Sequence, residues 1–401
     1  MNRPSNSTSE SMNRDELRAA AALSSVQGLR MLGLFIMLPV LAVHAHSLPD
    51  GHDARLVGLA LGIYGLTQAM LQLPLGAVSD RVGRKPVIIF GLALFAIGSF
   101  IAASADDLLV MTIGRGLQGA GAISAAVSAF VADSTRDSQR TKAMAMVGIT
   151  IGVSFALSLI VAPPLYRWVG IGGMFAFTGV LALAAIASVI FMVPSAPRVA
   201  RGRLTRETVL RVAAEPDLMR LNFGIFTLHA VQVAIFVALP GWLVERAGLA
   251  LPSHWMLYLP VVLLSFWPMM PALRWGERQG RARTVFVASV VVLALVMFAL
   301  ATRPEGLIPF AVLLFAFFAA FNILEASLPS MVSQLAPAEV RGTALGLFNT
   351  SQSLGLFTGG AAAGAVRAVW GDAAVFLLAG VIIVVWLIAA LRHRLWPAAA
   401  H

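Results

Sequence analysis

"GAVSDRVGRKPV", Gly76 to Val87, places Asp80, Arg81, Arg84 and Lys85 within six positions inside one of the most apolar regions of the chain. Charge stands out here because the rest of the sequence avoids it. Of 401 residues, 12% are charged and 59% hydrophobic, and the mean hydropathy is +0.84. Soluble domains carry about 25% charged residues. A chain with half that share is built to dissolve in lipid, and its charges are expected in the loops.

Working outward from this loop, apolar stretches long enough to cross a hydrocarbon core of roughly 30 Å as a helix fall at 22–43, 55–79, 86–104, 108–132, 143–166, 170–193, 219–243, 254–273, 284–302, 306–332, 343–366 and 372–391. Twelve spans put both ends of the chain on one side. Of the 29 Lys and Arg residues, 22 then lie on the side of the termini and five, Arg55, Arg167, Arg246, Arg303 and Arg367, on the other. Arg30 and Arg115 lie within spans. Such a bias orients both termini to the cytoplasm and accounts for the formal charge of +10 without nucleic acid. The polar first sixteen residues lead into a span with no small-residue cleavage site, so the first helix is read as uncleaved. With no cysteine, disulfides and thiolate metal sites are excluded.

The longest polar connection, Pro194 to Arg220, divides six spans from six and contains an amphipathic stretch from Thr205 to Ala214. After span eight the loop reads "ERQGRAR", Glu277 to Arg283, against "DRVGRKP", Asp80 to Pro86, after span two. A positive-inside loop explains the arginines. It does not explain an acid and a glycine in matching register, so the chain reads as an internal duplication. The expected division is a six-helix bundle over 1–195, a cytoplasmic linker over 196–217 and a second six-helix bundle over 218–401. The fold class is therefore all-α integral membrane, with twelve transmembrane helices in two pseudo-symmetric bundles.

Gly76, Asp80, Arg81, Gly83, Arg84 and Lys85, in the pattern G-x-x-x-D-R-x-G-R-K between spans two and three, resemble the signature loop of the major facilitator superfamily. "GRGLQGAGA", Gly114 to Ala122, resembles the span-four motif of that superfamily's drug:proton antiporters. The resemblance runs over nearly all twelve spans and implies a bacterial inner-membrane transporter. The chain departs from the antiporter pattern in span five, where Pro163 and Pro164 fall late and the usual double glycine is missing. It is also expected to lack the cytoplasmic C-terminal domain of one similar member, and with it that domain's regulation.

Glycine at 76 and 83 permits close helix contact and a tight turn. Asp80, at a helix junction, is able to accept from backbone N–H groups at the start of a neighbouring helix. The resemblance supplies partners: Asp80 near the start of span eleven, and Arg84 reaching Asp133 at the cytoplasmic end of span four. It implies a latch that holds the halves together in an outward-facing state.

Charges inside a bilayer cost about 2.5 to 3.5 kcal/mol at a helix centre, so they are functional candidates by default. Four residues qualify: Arg30, Arg115, His229 and Glu325. Glu325 is the only acid well inside a span, with Asn322 one turn away. Taking a carboxyl out of water favours its neutral form, which suits a carrier that picks up and releases protons. His229 in span seven titrates near neutrality by nature. The resemblance turns spans seven and ten toward a central cavity, making Glu325 the expected proton site and His229 its helper. The alternative is a packing role, with Glu325 neutral and bonded to Asn322.

Arg115 matches an arginine that the antiporter resemblance implicates in proton transfer and helix packing. A guanidinium does not release its proton usefully, so Arg115 is expected to tune a neighbour or hold a helix. The expected substrate cavity includes Arg30, Tyr64, Gln68, Gln118, Asn322 and Trp267, with Phe226 and Phe321 as further aromatic candidates. Tyr64, Gln68 and Gln72 repeat at a spacing of four, a polar face that lipid would not tolerate.

These features point to a proton-coupled secondary transporter exporting small amphipathic or cationic compounds by alternating access. The alternative is a proton symporter or facilitator for a polar metabolite such as a sugar. An enzyme is not indicated: there is no H-E-x-x-H, no Walker loop and no catalytic cysteine. His44, His46 and His52 lie together in the first outer loop without a matching acid set, so no metal or other cofactor is expected. The expected partners are protons, a small-molecule substrate and the bilayer, with the protein acting as a monomer.

Overall fold

The computed structural model describes residues 12–193, 206–337 and 340–392. Most of the connection between the sixth and seventh spans, with Arg198, Arg201 and Arg203, lies outside those residues, as do Arg3 and Arg394.

Span one is α1 (Arg14–Phe35) continued by α2 (Leu38–Ala45), and span two is α3 (Ala54–Val82). Span three is α4 (Arg84–Ala103), and span four is α5 (Leu108–Ala120) followed by α6 (Ser124–Asp133). The run α7 (Asp137–Phe191) holds spans five and six. The short α8 (Arg206–Ala214) occupies the linker. Beyond it come α9 (Pro216–Glu245), α10 (Trp255–Arg278), α11 (Ala282–Ala301), α12 (Leu307–Leu335), α13 (Arg341–Trp370) and α14 (Asp372–Leu391).

Among the described residues, nine helical runs are long and apolar enough to cross a membrane taken singly. Three circumstances reconcile nine with twelve. In α7 the backbone leaves helical geometry at Gly170 (φ 65°, ψ −176°). Ala143 and Val147 from its beginning share one apolar cluster with Val189 and Val193 from the far end of this run, so the chain reverses there. Span four is interrupted at Gly121, leaving α5 and α6 each too short alone. The run α13 is diluted by glycine and polar residues because it packs against protein for most of its length.

Turn geometry explains the loop between spans two and three. Gly83 ends α3 and caps α4 with φ at 112°, a conformation that side chains rarely adopt. Gly280, its counterpart between α10 and α11, has φ at 61°. Both glycines thus take a positive φ at the turn into the next helix. A Cβ on Gly76 would stand 3.3 Å from that of Ala125, so α3 and α6 cross closely there.

The contact of α3 with α13 is built on backbone touching backbone. A Cβ on Gly58 would lie 2.2 Å from the Gly360 carbonyl oxygen, and one on Gly65 2.4 Å from that of Ser353. At the end opposite the chain termini, α2 also meets α9, and α7 meets the turn Leu251–Ser253 before α10. Toward that end α9 is enclosed completely, buried at every position from 227 to 240, while Asn222, Phe223 and Phe226 nearer its start are half-buried.

Candidate functional site

Two groups of buried polar side chains lie near the middle of the molecule. The first is built on α1, α3, α5 and α6. Arg30 is 2% exposed and donates to Ser124 Oγ at 2.9 Å and to Gln68 Oε1 at 2.7 Å. Gln27 also donates to Ser124 Oγ, at 2.9 Å. The Tyr64 ring lies between two guanidinium groups, that of Arg30 at 5.6 Å and that of Arg115 at 5.5 Å. Arg115, fully buried, donates to the carbonyls of Ala60 and Leu61 and to Gln118 Oε1 at 3.3 to 3.4 Å. Gln118 in turn donates to Ser99 Oγ at 2.8 Å. Among the described residues neither arginine has a carboxylate partner. Their charge is held by carbonyls, amides and an aromatic face.

The second group is built on α9, α12 and α13. His229 is buried on α9, its Nδ1 3.2 Å from the Ile225 carbonyl oxygen. A carbonyl only accepts, so Nδ1 carries the proton and Nε2 is the acceptor of the neutral ring. Gln352 Nε2 donates to it at 2.7 Å. Glu325 Oε2 stands 3.8 Å from the same nitrogen. That oxygen is buried without a hydrogen-bond partner among the described residues, although the Glu325 side chain is 34% exposed as a whole. One acid thus reaches both the accessible surface and a fully enclosed imidazole. Phe321 packs edge-on to the His229 ring at 5.8 Å and stacks on Phe155 of α7, sealing one flank.

The groups meet across the contact of α3 with α13. Gln68, whose Oε1 accepts from Arg30, donates from Nε2 to Ser353 Oγ at 2.7 Å. Ser353 is the neighbour of Gln352. Beside this junction is a narrow apolar gap lined by Leu34, Leu61, Tyr64, Val233 and Leu356 among others.

Several expectations change. Trp267 does not line the site: it is 82% exposed, on the face of α10 opposite Ser265, beside the exposed Leu263 and Leu264. An indole there lies on the apolar outer surface, because the inward face of α10 is taken by Ser265 meeting α12. Asn322 does not bond Glu325; its amide donates to Ser265 Oγ at 3.1 Å. Tyr64, Gln68 and Gln72 share a buried face, with both amide atoms of Gln72 unpartnered among the described residues. Gln352, Ser353 and Ser124 were missed. Gln352 and Ser353 were visible as polar residues within a span, but their partners lie 123 and 285 residues away in sequence.

In the loop cluster, Arg84 donates from Nε to Asp133 Oδ2 at 3.0 Å and from a terminal nitrogen to Ser79 Oγ at 2.6 Å. It also pairs with Asp80 at 2.5 Å, so the expected reach of Asp80 to span eleven is replaced by a contact within its own loop. Arg81 and Lys85 flank this pair. A second tie on that side joins Arg136 to Glu16 at 2.9 Å. In the outer loop, His44 Nδ1 meets the Tyr166 hydroxyl at 2.9 Å, and His46 and His52 lie 6.1 Å apart. Among the described residues no cluster of three or more metal-ligating side chains occurs.

A multi-pass helical membrane protein with fixed cations and an acid–imidazole pair at its centre, and helices pressed together near one face, has the construction of a membrane carrier. The Major Facilitator Superfamily model matches residues 23–273 and 267–398, and the chain belongs to that superfamily. It is 40% identical over 379 residues to the inner membrane transport protein YajR of Escherichia coli strain K12, spanning 94% of this chain and 83% of that protein. It is 27% identical over 351 residues to the multidrug resistance protein MdtH of Yersinia enterocolitica, spanning 82% of this chain and 81% of that one. Among solved structures, the human organic anion transporter MFSD10 superposes with a TM-score of 0.69 at 16% identity, over 94% of this chain and all of that one. The protein is a transporter and not an enzyme.

Proposed function

We propose that this protein is a proton-coupled antiporter of the bacterial inner membrane, with cytoplasmic termini, that exports small amphipathic or cationic compounds by alternating access. One observation carries the reading: Glu325 is the sole acid well inside a span, and it stands 3.8 Å from the buried His229. A carboxyl reachable from one side, beside a ring with a single free acceptor nitrogen, is suited to take a proton and pass it inward. Similarity to a multidrug resistance protein over most of the chain supports efflux and organic substrates.

With cytoplasmic termini, the helices in the form described here close together toward the outside, where α2 meets α9 and α7 meets the turn Leu251–Ser253. In this form Asp80 pairs within its own loop, as expected of a latch released in this state and engaged in the opposite one. Arg30, Gln68 and Tyr64 face the centre, where the substrate is bound. Arg115 and Gln118 hold α5 to α3 and to α4 and set the field in which the proton site works. The protein acts as a monomer of two bundles joined by the linker.

The test is proton movement in energised everted vesicles, followed with a fluorescent dye while cationic dyes, antibiotics and sugars are added in turn. Antiport predicts that a compound collapses the gradient in wild type and fails to do so in Glu325→Gln. Equal collapse in both removes Glu325 as the proton site. Proton uptake with sugar, in right-side-out vesicles, would replace export by symport.

A further inference from the structure

We propose that Gln352 on α13 is the positioning residue that converts protonation of His229 into a change at the contact between α3 and α13. The proposal rests on the reading of Glu325 and His229 as the proton site and adds the device that couples that site to conformation.

The argument is one of hydrogen-bond polarity. With Nδ1 committed to the Ile225 carbonyl, Nε2 is the only nitrogen of His229 able to change its role. In the neutral ring it accepts from the Gln352 amide at 2.7 Å. When Glu325 passes its proton to Nε2, a new N–H bond forms there, and the Glu325 O–H bond breaks to leave a carboxylate. The nitrogen now donates, and the Gln352 NH2 group facing it has become a second donor. Two donors cannot share one bond. Gln352 must either turn its amide so that Oε1 accepts from the new N–H, or withdraw and leave that N–H to the Glu325 carboxylate.

Gln352 is half-buried, and its place on α13 ties it to the contact with α3. The next residue, Ser353, is fully buried, accepts from Gln68 at 2.7 Å and donates to the Asn349 carbonyl at 3.0 Å. Its own carbonyl oxygen lies where a Cβ on Gly65 would be, 2.4 Å away. Displacement at Gln352 is therefore transmitted to Ser353, to Gln68 and on to Arg30. The charged groups around this stretch of α9 fit the scheme. Glu325 faces the ring from α12, and Arg30 of α1 stands behind Gln68. Toward the far end of α9, Arg367 of α13 donates to the Val237 carbonyl at 3.4 Å and pairs with Asp372, whose carboxylate accepts from the Trp242 indole at 3.1 Å, and His44 of α2 meets Tyr166. On α8 lie Glu207 and Arg211, at the opposite end of α9.

The absence of cysteine permits a direct test. Nitroxides on Arg55→Cys and Ala250→Cys, both exposed near the face where the helices close, report the separation there by double electron–electron resonance on the full chain in lipid nanodiscs. Protons are the probe, varied from about pH 5 to pH 9. Wild type is expected to shift its distance distribution across this range. Gln352→Leu is expected to lose at least nine-tenths of that shift while the infrared carboxyl band of Glu325 still titrates. Gln352→Glu, an acceptor that cannot donate when ionised, is expected to hold the protonated-ring distribution where wild type has left it. A wild-type response in Gln352→Leu overturns the proposal. If that variant does not fold, a wild-type response in Gln352→Glu does the same, and so does a wild-type chain whose distances ignore pH. A full response in Glu325→Gln instead overturns the proton-site reading, and Gln352 is then judged by its own variants.

Discussion

The two polar groups at the centre differ in kind. The one on α1, α3, α5 and α6 contains two buried arginines with no carboxylate partner among the described residues; its charge stays fixed at any physiological pH. The one on α9, α12 and α13 contains an acid and an imidazole, both able to change charge. The difference teaches how an apolar protein keeps ionisable groups in its interior. Arg30 and Arg115 spread their charge over carbonyls, amides and the Tyr64 ring, making a rigid frame. Glu325 Oε2 has no hydrogen-bond partner among the described residues and His229 keeps Nε2 as an acceptor, which suits the pair to exchange a proton.

The largest expected effect tests the titrating side of this contrast. Glu325→Gln should reduce compound-driven proton movement in everted vesicles by about 100-fold or more, as when a positioned acid or base is removed. Retention of near wild-type movement would make the second group as static as the first. Next is the seam between them. Gly58→Ala would put a Cβ 2.2 Å from the Gly360 oxygen, an overpacking that costs roughly 1–3 kcal/mol. This should move the balance between closed and open forms by roughly 5- to 150-fold, read from the spin-label distances.

On the fixed side, Arg115→Met should lower unfolding stability by about 1–3 kcal/mol, because Gln118 Oε1 is left buried without its donor. Thermal unfolding in detergent measures it, and a variant stable but defective only in coupling would show Arg115 to be more than frame. The smallest effect is expected at Trp267→Ala, on the outer surface, where stability should change by less than about 0.5 kcal/mol and transport not at all. A strong transport defect there would return Trp267 to the substrate path.

Legibility followed the range of the interactions. Apolar spans, the bias of Lys and Arg, and the matched loops around Gly83 and Gly280 are local patterns, and each could be read from the chain. Span four was read as one segment across its break at Gly121, because hydropathy averages over an interruption that backbone geometry does not. In the site, Glu325, His229, Arg30 and Arg115 announced themselves by the cost of charge in lipid. Gln352 did not, since a neutral amide costs less and its meaning depends on which nitrogen it faces. Trp267 misled because an aromatic residue in a span is equally at home on a lipid-facing surface.

The sequence by itself determined that this chain crosses a membrane many times, because burial in lipid imposes length and polarity on every span, and its loop from Gly76 to Lys85 carried the resemblance to a transporter superfamily. It also marked the costly charges. Only the tertiary structure decided their partners: that Glu325 stands by His229, that Arg115 grips backbone, and that Gln68 bonds Ser353 across the seam. Those pairings depend on helix rotation and crossing to within an ångström. Many residues with little chemistry of their own set these, such as Gly58, Gly65 and Gly360.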